Sequence, residues 1–152
     1  MQQWYSIVTQ NLGELPNFLK YYEDELAEAK REIKIYGNLE KNIAALPGIT
    51  EHRFSQLQEI EGVLEYMNIQ LKKIRRKHFK TYLEAYAREL TSRDAERYAD
   101  GEDEVIEYEA LINEVALIRN KYLGILKGLE QKSFMMGHIS RLRTAGLEDV
   151  SL

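Results

Sequence analysis

Six of the ten residues from Leu71 to Lys80 are lysine or arginine and none is acidic, in a chain of formal net charge -4. Within this run Leu71, Ile74 and His78 continue an apolar seam from Leu57, Ile60, Leu64 and Met67, at helical spacing. If the seam faces a partner helix, Lys72, Lys73, Arg76 and Lys80 project away from it with Phe79 among them, and Arg75 and Lys77 flank it. Cations interleaved with an aromatic ring suit a polyanion that also carries flat apolar groups. Single-stranded nucleic acid is the commonest such ligand, with phosphates on the cations and bases on Phe79, Tyr82 and Tyr86. The competing reading is an ordinary solvated helix face. Six positive residues without a negative one, in an acidic chain, weigh toward binding.

Other chemistry lacks its parts. There is no cysteine, so disulfides, thiol chemistry and thiolate-bound zinc are excluded. His52, His78 and His138 stand apart, in neither Glu-x-x-His nor His-x-x-x-His pairs, so no metal site is expected. His78 reads as a core or interface residue, and His138, near Arg141, as a surface group. The segment Gly124-Ile-Leu-Lys-Gly128 lies within a helical pattern and lacks the strand–loop–helix setting of a phosphate loop. Close carboxylates such as Asp103 and Glu107 read as a solvated face. With no nucleophile–base pair, metal or phosphate loop, the expectation is a protein without catalysis and without a cofactor.

A chain of 152 residues fits one domain. Its expected parts are an N-terminal segment over 1–16, a helical domain over 17–146 and a tail over 147–152. No apolar run reaches membrane-spanning length and the N-terminus does not read as a secretory signal, so the expected location is cytoplasmic. Charge is segregated. Residues 84–114 hold eleven acids against three bases, and residues 119–143 hold six bases against one acid. An anionic ligand on one surface and charge-mediated contacts on another would use such blocks.

Periodicity predicts an all-α fold of long antiparallel helices in a coiled-coil-like bundle. The first is expected over 17–46, on a seam of Tyr22, Leu26, Ala29, Ile33 and Tyr36, with Gly37-Asn38 a weak point and Pro47-Gly48 the stop. The second is expected over 51–90, and the third over 103–144 on Tyr108, Leu111, Val115, Ile118, Tyr122, Ile125 and Leu129. Between them Ala95 to Ala99 reads as a single turn. Helices of this length are expected to need partners along their length, hence a homo-oligomer. Gly124 and Gly128 share a face where another backbone can approach, unless they are merely tolerated. Phe134, Met135 and Met136 are more apolar than one seam needs, which fits either a subunit contact or the buried end of a bundle.

One resemblance rests on these residues. Arg75-Arg76-Lys77-His78-Phe79-Lys80-Thr81-Tyr82, on a helix after an acidic helical region, resembles the basic-aromatic motif of the UvsY-type recombination mediators of tailed phages. An acidic stretch then leads into a long helix containing Tyr122-Leu-Gly-Ile-Leu. Lys132-Ser-Phe-Met-Met-Gly-His138-Ile-Ser-Arg141-Leu-Arg143 is similar to that family's basic, aromatic C-terminal segment. The likeness spans about residues 66–146, in order and residue type more than identity. Two departures stand out: Leu83-Glu84-Ala85 continues the helix where the family often has a glycine turn, and residues before about 50 have no counterpart. The resemblance implies a non-enzymatic, ring-forming helical protein. It would bind single-stranded DNA and help load a RecA-like recombinase in place of single-strand binding protein, in phage recombination and repair. Matched to the motif, Lys72, Lys73, Arg75, Arg76, Lys77 and Lys80 would contact phosphate. The alternatives are a phage terminase small subunit, for which no helix-turn-helix is found, and a helical scaffold without a nucleic-acid role.

Overall fold

The computed structural model describes residues 3–85 and 90–146. The tail at 147–152, Tyr86 and the stretch 86–89 of the expected second helix lie outside the described residues. Within them the chain is all-α. Five helices run in order: α1 (Trp4–Gln10), α2 (Leu15–Glu32), α3 (Leu39–Glu84), α4 (Ser92–Asp100) and α5 (Asp103–Thr144).

α3 and α5 form an antiparallel hairpin. Arg75 and His78, late in α3, meet Glu109 and Glu104, early in α5, while the start of α3 lies beside Ser140 and Arg143. At 1.5 Å per residue the two helices are about 60–70 Å long. Their shared seam is buried through Leu57, Ile60, Leu64, Met67 and Leu71 on α3 and Val115, Ile118, Tyr122, Ile125 and Leu129 on α5. Each half of the hairpin receives a third helix. α2 runs along one half and buries Leu15, Phe18, Tyr22, Leu26 and Ala29. α4 closes the other, burying Ala95 and Ala99. Fully burying a side chain such as Phe18 or Ile60 contributes about 1.5–3 kcal/mol. α1 caps the α2 half, where Trp4, Phe18, Tyr21, Tyr22 and Tyr122 make a chain of ring contacts.

The helix boundaries differ from the expected ones. The chain breaks at Gly37, not at Pro47-Gly48. Gly37 has φ +72°, a conformation that strains other residues. Asn38 then caps α3, its side chain accepting from the Lys41 backbone N–H at 3.0 Å. α2 ends at Glu32, so Tyr36 is 67% exposed and off the seam. α3 continues through Pro47, which stands on the exposed side of the helix. The seam explains this continuity: Leu39, Leu46, Arg53, Ile60 and Met67 repeat every seven residues without interruption, and all five are buried. At its other end α3 stops at Glu84, with Ala85 as C-cap, and Leu90 is not helical. α4 is longer than the single expected turn because Thr91 caps it, accepting from the Asp94 N–H at 3.2 Å.

Candidate nucleic-acid interface

The cationic run occupies the last third of α3. Leu71 is buried and Ile74 and His78 are half-buried toward the hairpin partner. Lys72, Lys73, Arg76 and Lys80 are exposed and make no ion pair among the described residues. At about 100° per residue these four lie within one arc of about 100° on the face away from α5. They are therefore a contiguous patch of free cations.

The inner edge of the run is occupied. Arg75 Nε lies 3.2 Å from Asp100 Oδ1, and its terminal nitrogen pairs with Glu109. Lys77 Nζ is 4.0 Å from Glu104, and His78 Nε2 is hydrogen-bonded to the same carboxylate at 2.8 Å. That hydrogen bond, with help from the Lys77 charge, holds the Glu104 pKa below its usual value. The Tyr82 hydroxyl donates to Glu102, and its ring stacks on Tyr98 at 5.3 Å between centroids. Two residues expected at a nucleic-acid surface, Arg75 and Tyr82, are thus committed to α4 and α5, and Lys77 is shared. Phe79 is half-buried and lines a cavity of about 330 Å³ with Arg75, Arg76, Glu96, Ala99 and Asp100.

The candidate subunit contacts divide as well. Met136 is buried and belongs to the core of the chain itself. Gly128 serves an intramolecular approach: a Cβ there would come within 2.7 Å of Ile33 Cδ1, at the end of α2. Gly124 faces open space, and Phe134 and Met135 are exposed.

Sequence reasoning missed a buried polar cluster between α2, α3 and α5. Arg53 is 1% exposed and donates to both carboxylate oxygens of Glu32, at 2.9 and 2.6 Å, and to Glu25 and Gln56 at 2.7 and 2.9 Å. Gln56 donates to Glu25 and accepts from the Tyr122 hydroxyl at 3.0 Å. Burial raises the Tyr122 pKa, and that of Tyr22, whose hydroxyl donates to Glu59. Lys132, also buried, donates to the carbonyls of Glu32 and Lys34 at 2.8 and 3.1 Å, satisfying the end of α2. Burial lowers the Lys132 pKa. The signal was present: Arg53 and Lys132 both stand at seam positions of their helices.

Among the described residues no three histidine, aspartate or glutamate side chains gather to hold a metal, and no helix is long and apolar enough to cross a membrane. In comparisons with family models, curated proteins and solved structures, no match to the chain was found.

Proposed function

We propose that this protein binds single-stranded DNA through the outer face of α3 and acts without catalysis, as a recombination mediator. In this role it works as a homo-oligomer and holds a strand while a RecA-like recombinase replaces single-strand binding protein. The observation that carries the reading is the patch of Lys72, Lys73, Arg76 and Lys80, four exposed cations with no ion-pair partner among the described residues. The same run spends its other two cations, Arg75 and Lys77, on Asp100, Glu104 and Glu109 of the neighbouring helices. Internal pairing therefore does not account for the outer four. The mediator assignment rests further on the resemblance of residues 66–146 to the UvsY type.

The test is fluorescence anisotropy with labelled single strands over a range of salt. For single strands the slope of log affinity against log salt changes by about 0.7 per phosphate contact. Lys73→Glu with Arg76→Glu is expected to weaken binding across sequences and to reduce the slope by about 1.4. Unchanged affinity and slope in a folded double variant would reject this face. Far tighter binding of duplex than of single strands would favour a packaging role instead.

A further inference from the structure

The groove between α3 and α4 adjoins the cationic patch, and Arg76 belongs to both. Its cavity of about 330 Å³ lies within the range of small-ligand sites. The lining is chemically mixed. Phe79 and Ala99 are apolar, Arg75 and Arg76 are cationic, and Glu96 and Asp100 are anionic. Asp100 is held by Arg75, but the exposed Glu96 carboxylate has no ion pair or hydrogen bond among the described residues. A bare phosphate would meet two carboxylates here, and a lysine or arginine from a partner would meet two guanidinium groups. A neutral planar heterocycle with amino donors, tethered to a phosphate, matches all three kinds of lining.

We propose that this groove takes one unstacked nucleobase of the bound strand, with its ring against Phe79 and its exocyclic amine donating to Glu96. This rests on the single-strand reading above and adds base preference to it. Carboxylates accept from the amino group of cytosine, whereas thymine presents carbonyl oxygens in its place. Cytosine is therefore favoured over thymine in the groove, while the four outer cations hold both strands alike through phosphate.

The experiment is anisotropy with labelled oligo-dC and oligo-dT of equal length, at a slightly alkaline pH that keeps cytosine neutral. Wild-type protein is expected to bind oligo-dC about three- to tenfold more tightly. Glu96→Ala should bring that ratio near one. Removing a negative charge raises affinity for both strands, and the ratio cancels this effect. Phe79→Leu, which keeps an apolar side chain without a stacking face, should lower affinity for both strands by about fivefold or more, with unchanged circular dichroism. Equal affinity of wild type for the two strands overturns the pocket and leaves the cationic face standing. A dC preference that survives in folded Glu96→Ala also overturns it. If neither strand binds, the single-strand reading falls and the pocket with it.

Discussion

Arg53 keeps its charge under burial through four hydrogen bonds to Glu25, Glu32 and Gln56. Burial disfavours the cation, but the two carboxylates outweigh it and raise its pKa above the ordinary value. Removing the cation takes the close counter-charge from both Glu25 and Glu32, and His52, 4.0 Å from Glu25, replaces little of it. Arg53→Ala is expected to lose about 3–5 kcal/mol in urea unfolding, the cost of breaking a buried pair from one side. Lysine cannot reproduce the bidentate fork, so Arg53→Lys should recover only part of this. The same cluster sets an acid limit. Burial pushes the Glu25 pKa up, and hydrogen bonds from Gln56 and Arg53 outweigh it, so the folded value lies below 4.5. A depressed carboxylate contributes stability above its unfolded pKa and loses it as pH falls through the folded one. Wild type should therefore lose stability below about pH 4.5, and Arg53→Ala, which lacks this contribution, should lose it less steeply over the same range.

At the scale of helices, the choice between Gly37 and Pro47 as the break is testable by a pair of substitutions. Pro47 lacks an N–H inside a continuous helix, so Pro47→Ala should stabilise the protein by about 1–3 kcal/mol. Gly37 is in the left-handed region, so Gly37→Ala should destabilise by about 1–2 kcal/mol. Thermal unfolding of the two variants gives opposite signs if α3 is continuous; a true stop at Pro47 would make Pro47→Ala neutral. The same pair of residues explains what the sequence conveys and what it conceals. The α3–α5 hairpin is legible because both seams keep a strict 3-4 spacing. The α2–α3 boundary is not, because a proline outranks the heptad phase that links Leu39 and Leu46 to Ile60 through a polar residue, Arg53. Within the candidate interface, the outward direction of Lys72, Lys73, Arg76 and Lys80 follows from helical periodicity alone. The capture of Arg75 and Tyr82 does not, because their partners Asp100, Glu109 and Glu102 come from elements distant in sequence.

For the molecule as a whole, the length of α3 and α5 is not in itself a reason for assembly. Each half of the hairpin is covered by α2 or α4 from the same chain, and Met136 is buried internally. Among the large apolar side chains left exposed are several on the outer faces of α5: Leu117 and Phe134, each 59% exposed, with Met135 and Leu123. Gly124 stands seven residues after Leu117 and on its face, and a Cβ added there would meet nothing within 4 Å. In a monomer Gly124→Ala should simply add about 1 kcal/mol of helix stability. In an oligomer that packs another backbone on this face it should weaken association. On the proposed function the second outcome is expected, because one cationic patch holds a strand weakly at physiological salt. Several patches linked in an assembly act at high effective concentration and gain about 10²–10⁴ over one site. Sedimentation velocity should thus show an oligomer at micromolar concentration, and Leu117→Glu with Phe134→Glu should dissociate it. The dissociated variant should keep its affinity for a short oligonucleotide that reaches one patch, and lose most of its affinity for a long strand. A stable monomer in both low and moderate salt, or a dissociated variant that binds long strands as tightly as wild type, would remove avidity from the mechanism.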